Sequence, residues 1–148
     1  MIGIIDYGAG NLTSVIGAFS YLGCETKIIK DAAHLSGCTH LVLPGVGSFG
    51  DGINELHTRK LIEPMTEMVL GHSIPFLGIC LGAQLVATQG HEGGQCPGLG
   101  WIDAEVIALR PKDPLMPLPH VGWNDCQITK PSPLFSDIAE TPLFYFVH

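Results

Sequence analysis

Ile74-Pro75-Phe76-Leu77-Gly78-Ile79-Cys80-Leu81-Gly82-Ala83-Gln84 is the stretch from which the rest of the chain is read. An apolar run, Pro75 to Ile79, ends in Gly78-Ile79-Cys80-Leu81-Gly82, and a helix-compatible segment, Ala83 to Thr88, follows at once. This is the thiol form of the G-x-S-x-G nucleophile elbow. A chain that leaves a strand and enters a helix within a few residues forces its central residue into a strained turn. Glycines two positions to either side remove the side chains that would collide there. The pattern therefore predicts the Cys80 sulfur at a helix N-terminus, where partial positive charge favours thiolate over thiol. The competing reading is a buried cysteine in an apolar strand, the commonest fate of this residue. The context of the motif has to decide between them.

The chain has 148 residues, enough for one domain with a real core. Hydrophobic residues make up 46% and charged residues 14%, which indicates a packed globular protein rather than a disordered one. No apolar run approaches the roughly 20 residues a bilayer requires. Met1-Ile2-Gly3-Ile4-Ile5-Asp6 lacks a basic leader region and reads as a first strand, not a signal peptide. The net charge of −7 argues against nucleic acid and anionic membranes as partners. Five cysteines (24, 38, 80, 96 and 126) form no C-x-x-C pair, which predicts reduced thiols in the cytoplasm, with neither a disulfide frame nor a metal site. Low charge combined with high apolarity also suggests apolar surface intended for a partner.

Outward from the elbow, apolar strand-like runs alternate with helical patterns, as a parallel α/β sheet requires. Ile2 to Ile5 is a short buried strand; Leu12, Val15, Ile16, Phe19 and Leu22 recur at helical spacing, with Asn11 as N-cap and Gly23 as stop. Thr26 to Ile29 and Thr39 to Leu43 are further strands, and Gly52 to Leu70 a helix interrupted near Pro64. After Thr88 a glycine-rich connection, Gly90 to Gly100, leads to Trp101–Leu109 and Asp125–Thr129, which read as strands of a small antiparallel extension. Leu143 to Val147 is a final apolar strand. The predicted class is α/β: one domain spanning 1–148, a mostly parallel sheet with helices on both faces in flavodoxin-like layering, plus that extension.

A thiolate attacking a carbonyl needs hydrogen-bond donors aimed at the oxygen that becomes negative. Pro44-Gly45-Val46-Gly47-Ser48-Phe49-Gly50 follows the strand ending at Leu43, and strand ends on one edge of a parallel sheet share a crevice. The glycines allow close backbone approach, so this loop is a candidate oxyanion hole, although more such loops are plain turns.

Four motifs occur in order: Ile4-Ile5-Asp6-Tyr7-Gly8-Ala9-Gly10-Asn11-Leu12, Leu43-Pro44-Gly45-Val46-Gly47-Ser48-Phe49, Gly78-Ile79-Cys80-Leu81-Gly82-Ala83-Gln84 and Pro119-His120-Val121-Gly122-Trp123-Asn124. Together they resemble the class I (triad) glutamine amidotransferases, in particular the family of glutaminase subunits of imidazole glycerol phosphate synthase. The likeness runs from Met1 to His148; alanine at position 83, where the family more often has methionine, is a small departure. The resemblance implies that Cys80 is the nucleophile attacking the side-chain amide of glutamine. It also implies that the N–H of Leu81 and one from the Val46-Gly47 peptide hold the oxyanion, and that Gln84 helps hold the amino-acid end of the substrate. Pro119, His120, Trp123 and Asn124 would face a cyclase barrel subunit in a heterodimer. Ammonia would pass into that barrel to form imidazole glycerol phosphate in histidine biosynthesis, with no cofactor. A closed passage suits the chemistry, because ammonia in water is mostly protonated and inert as a nucleophile.

One expected element is missing. The family's catalytic histidine and glutamate lie in a later F-H-P-E segment, and the sequence ends before any such motif. The resemblance therefore predicts a C-terminally truncated domain without the triad His and Glu. His148 follows Tyr145-Phe146-Val147, but in the family that histidine belongs to an upstream strand. His40 and His72 read as surface or core-edge histidines, and His120 as an interface residue. Gly8-Ala9-Gly10 is a turn near the crevice rather than a dinucleotide fingerprint, and His91, Glu92 and Cys96 have no recognised ligand spacing. Trp101 and Trp123 suit core aromatics, with a partner contact favoured for Trp123. Three alternatives remain open: a paralogue supplying ammonia to sugars, another cysteine-elbow enzyme such as a hydrolase, and a non-catalytic binding module of the same fold.

Overall fold

The computed structural model describes residues 1–113, 115–138 and 141–148. Two compact units emerge, Met1–Ala108 and Leu109–His148. In the first, β1 (Ile2–Ile5), β2 (Thr26–Ile29), β3 (His40–Gly45) and β4 (Phe76–Cys80) form a parallel sheet in the order β2-β1-β3-β4. The central strands β1 and β3 are short runs rich in Ile, Val and Leu, as expected of strands covered on both faces. Alternation along them divides the core. Ile5, Leu41 and Leu43 join one cluster with Tyr7, Phe49, Leu56, Leu81 and Leu85, whereas Ile4 and Val42, also buried, lie outside it. The period-2 geometry of a strand directs those two sets to opposite faces. The sheet is thus α/β with helices on both faces, as the sequence predicts.

Helix α1 (Leu12–Tyr21) starts where the Asn11 side chain accepts from Ser14 N–H, and its Val15, Ala18 and Phe19 share an apolar cleft of about 390 Å³ with Leu77 and Ile79 of β4. This face is only partly covered: Leu22 is 70% and Leu77 49% exposed. The other face carries α2 (Phe49–Thr58), α3 (Ile62–Thr66, continued by a π-helical turn over Glu67–Gly71) and α4 (Leu81–Gln84). Beyond α4, β5 (Ala87–Gly90) pairs antiparallel with β6 (Cys96–Pro97) and parallel with β7 (Ile102–Val106). In the second unit β8 (Val121–Asp125) and β9 (Leu143–Val147) pair antiparallel, with Trp123 opposite Tyr145. None of the described helices is long and apolar enough to cross a membrane.

Four local expectations need correction. The helix read over Gly52–Leu70 breaks not at Pro64 but at Lys60, which takes a φ of 55°. Leu56 and Leu61 are both fully buried and joined by a Leu61 N–H to Leu56 carbonyl bond, so the core closes the helix there. Pro64 falls in the first turn of α3, where a missing N–H costs nothing. The helix after the elbow lasts one turn; Ala87 and Thr88 enter β5 instead of extending it. The strand beginning at Trp101 runs parallel to β5, not antiparallel. The strand read at Asp125–Thr129 lies four residues earlier, where Val121–Asp125 finds β9.

Candidate active site

The site assembles at the C-terminal edge of the parallel sheet, where the loops after β1, β3 and β4 emerge together. Cys80 ends β4 with φ 53° and ψ −117°, a backbone state that L residues rarely occupy, and Leu81 begins α4 directly. Cys80 is exposed while Leu81 and Gly82 are buried, so the turn presents the sulfur outward and anchors itself with the residues that follow. The two flanking glycines are sterically required. A Cβ on Gly78 would lie 2.5 Å from the Ala83 Cα, and one on Gly82 would fall on the Leu43 carbonyl oxygen. The buried-strand reading of Cys80 does not hold: its position is that of an elbow. The single turn of α4 supplies only a short stack of peptide dipoles, so the geometry rests on the strained backbone more than on a macrodipole.

Cys80 lies opposite Gly45 in the β3–β4 ladder. The loop that follows Gly45 thus starts beside the sulfur, with Val46 59% exposed and Gly47 at φ 102°, a conformation favouring glycine. Leu81, as first residue of α4, has a backbone N–H without an intrahelical acceptor. The structure brings Cys80, Leu81, Val46 and Gly47 onto one sheet edge. Gln84 stands one turn along α4 from Cys80, half-buried, on the same helical side.

The loop is held in place by its own caps. Ser48 Oγ accepts from Asp51 N–H at 3.2 Å and lies 2.7 Å from Asp51 Oδ2. Glu92 Oε2 accepts from the Phe49 N–H at 2.8 Å, a capping role at the start of α2 that the sequence, which offered Glu92 only as a candidate metal ligand without recognised spacing, did not show. A Cβ on Gly52 would sit 3.1 Å from both Leu81 and Leu85, so α2 packs tightly on the elbow helix.

Sequence reasoning also missed Tyr7 as a side chain of this site. It is fully buried, and its hydroxyl is the one buried side-chain polar atom without a partner among the described residues. The hydroxyl occupies the space a side chain on Gly45 would need, space also bounded by the Leu81 Cβ and the Gly82 N. Burial, and secondarily the negative charge of Cys80, pushes this phenol up to about 12 from 10.0. The one available signal was position: Tyr7 follows β1, the strand that pairs with β3.

Other predicted residues fall elsewhere. Pro119, His120, Trp123 and Asn124 belong to the 109–148 unit, where Trp123 is 72% exposed and packs edge-on against Tyr145. His120 Nδ1 and His148 Nε2 are 3.0 Å apart, so the two rings occupy each other. His91 Nε2 meets Glu105 Oε2 at 2.9 Å on the surface, and His72 and His40 are exposed. Trp101 is a core aromatic: its Nε1–H donates to Thr66 Oγ1, and its ring packs edge-on against Phe76.

Comparison with known proteins places this geometry. The family model for class-I glutamine amidotransferases matches residues 3–148. Imidazole glycerol phosphate synthase subunit HisH 1 of Campylobacter jejuni is 45% identical over 148 residues, covering 100% of this chain and 73% of its own length. The HisH subunit of Salinibacter ruber is 41% identical over 152 residues, covering 100% of this chain and 69% of its own. Among solved structures, a glutamine amidotransferase superposes with a TM-score of 0.72 at 19% identity, over 99% of this chain and 70% of that one. At that identity the superposition speaks for the fold alone. The family model and the relatives that match the whole of this chain lead to one statement: the chain belongs to the class-I glutamine amidotransferase family.

Proposed function

We propose that the chain is a glutaminase subunit, releasing ammonia from glutamine for a partner cyclase subunit that makes imidazole glycerol phosphate. The observation that carries this is the positive-φ Cys80 facing Gly45 and the Val46-Gly47 loop across the β3–β4 ladder. The HisH names of relatives matching the whole chain support the pathway. In this reading the two compact units belong to one amidotransferase domain, as the span of the family match suggests.

In the first step the Cys80 Sγ attacks the side-chain amide carbon of glutamine. The carbonyl oxygen becomes an oxyanion, held by the Leu81 N–H and a donor from the Val46-Gly47 peptide, while Gln84 helps to hold the amino-acid end. The tetrahedral centre collapses to a thioester as the nitrogen takes a proton and leaves as ammonia. Water then hydrolyses the thioester to glutamate and returns the thiol. Both half-reactions need a base that can also act as acid. Among the described residues no histidine hydrogen-bonds the Cys80 sulfur, and His148 is engaged with His120. With no base in hydrogen-bonding contact with the sulfur, the described residues by themselves turn glutamine over slowly, if at all. The exposed Trp123 side of the β8–β9 hairpin, with Pro119, His120 and Asn124, is assigned to the cyclase partner in a heterodimer. The five free cysteines fit a reducing compartment, and the cytoplasm is the proposed location.

The test uses the protein in complex with its partner. Cys80→Ala should abolish glutamine-dependent product formation and leave formation from added ammonium salts intact. Loss of both activities would make Cys80 structural or the partner assignment wrong.

A further inference from the structure

The loop beside the elbow is held at its two ends and by little between them. Gly45 is buried and paired with Cys80 in the β3–β4 ladder, so the loop leaves the sheet from a fixed point. Its other end is Phe49, fully buried, whose ring lies 2.5 Å from where a Cβ on Gly90 would stand and 3.0 Å from that of Gly98. Between these anchors Val46 is 59% exposed, and nothing lies within 4 Å of a Cβ built on Gly47. Packing on the loop itself therefore does not orient the Val46-Gly47 peptide; the anchors on either side do. The far anchor includes one polar contact. Phe49 opens α2, so its N–H has no acceptor inside the helix, and Glu92 Oε2 takes it at 2.8 Å. Glu92 is itself well supported, in the connection between β5 and β6. The preceding His91 N–H donates to the Val106 carbonyl, and Gly93 and Gly94, at φ 70° and 132°, turn the chain back so that Cys96 pairs with Gly90.

We propose that Glu92 is a positioning residue for the oxyanion hole: by holding the Phe49 N–H it fixes the far end of residues 46–48 and so aims the Val46-Gly47 peptide at the substrate oxygen. The inference rests on the reading of Cys80 as nucleophile and of that peptide as a donor. A donor to a developing oxyanion acts through its placement, and a displacement of an ångström costs far more rate than one hydrogen bond suggests. In this role Glu92 acts through the Phe49 backbone and not on the sulfur. Three suspended residues, one of them a glycine at φ 102°, can turn their peptides readily once either end is released.

Glu92→Ala removes the acceptor, whereas Glu92→Gln keeps an amide oxygen that can accept from the same N–H. The probes are two aldehydes shaped like glutamine, glutamate γ-semialdehyde and its des-amino counterpart 5-oxopentanoate, each ¹³C-labelled at the aldehyde carbon and followed by NMR. The Cys80 Sγ adds to that carbon, the C=O bond opens, and the thiol proton passes to the oxygen. Capture thus needs the nucleophile and the oxyanion donors but no leaving group. The dissociation constants of both aldehydes should rise about tenfold in Glu92→Ala, less than deleting a donor outright costs, and be partly restored in Glu92→Gln. Alkylation of Cys80 by iodoacetamide, a displacement at saturated carbon that forms no oxyanion, should keep the wild-type rate in both variants. Unchanged aldehyde capture in Glu92→Ala, a parallel fall in alkylation, or a loss confined to the amine-bearing aldehyde would each overturn the inference and leave the nucleophile reading in place. A wild-type Cys80 that captures neither aldehyde would overturn the nucleophile reading itself.

Discussion

Gly82→Ala tests whether the elbow depends on close backbone approach. The added methyl would be driven onto the carbonyl oxygen of Leu43, inside van der Waals contact and not at the end of a flexible side chain. Leu43 is in the middle of β3, fully buried, with β1 and β4 on either side, so that oxygen has nowhere to go. Relief must come from α4 lifting off the sheet, taking with it Leu81 and Leu85, which are 2% and 0% exposed. Overpacking against a rigid neighbour costs about 1–3 kcal/mol, and a backbone obstacle with two core leucines attached belongs at the upper end, about 3 kcal/mol. For a domain of this size each kcal/mol lowers the midpoint by roughly 2–4 °C, so Tm should fall by about 10 °C. Because the same shift moves the Cys80 turn, iodoacetamide labelling of Cys80 should slow as well. Gly17→Ala is the control: this glycine is in α1 with nothing near its would-be Cβ, and alanine there should stabilise by about 1 kcal/mol. Circular dichroism melts of the three proteins decide the matter. A Gly82→Ala chain melting within a couple of degrees of wild type would refute the steric account of the elbow.

Further outcomes follow from the same geometry. Cys80, exposed on its strained turn, should be alkylated before Cys24, Cys38, Cys96 and Cys126, of which Cys38 is buried and the rest only half-exposed; faster modification of any of those would remove the elbow assignment. Glu92→Gln should lower stability by about 1 kcal/mol, read from urea unfolding, because the charged acceptor for the Phe49 N–H at the start of α2 is lost. Tyr7 also gives the alkaline limb of stability a definite sign. Its folded-state value of about 12 lies above the unfolded 10.0, so the folded chain holds the proton longer. The associated stability is fully present below pH 10 and is lost as pH rises towards 12, by about 2 kcal/mol. Wild type should therefore lose more stability than Tyr7→Phe over that interval, and parallel pH profiles would contradict it. Finally, Leu22 and Leu77 beside the α1–β4 cleft leave apolar surface open, so this chain should self-associate with rising concentration in sedimentation runs; a monomer at all concentrations would count against it.

What could be read along the chain was whatever neighbours in sequence decide among themselves. The runs at Ile2–Ile5, Thr26–Ile29 and Leu143–Val147 are strands where their residue types place them, because a β-branched or aromatic run states its own preference. The elbow was legible for the same reason: Gly78, Cys80 and Gly82 lie within five residues, and the turn they allow is a local matter. Other features depended on partners far along the chain. Lys60 breaks the helix because Leu56 and Leu61 must both reach the core, and Ala87 and Thr88 leave the helical path for a strand paired with Ile102–Val106. The edge of β8 is set by β9, some twenty residues away, not by any signal around Asp125. The identity of the cysteine turn could thus be read from the sequence, but its surroundings could not. Tyr7 lies 73 positions before Cys80, and Glu92 lies 43 after the Phe49 it caps. Only the parallel register of β1, β3 and β4, fixed by burial on both faces of the sheet, carries the first pair to one edge. Charge and hydrogen-bond satisfaction at that edge are properties of the packed chain, so they had to wait for its tertiary structure.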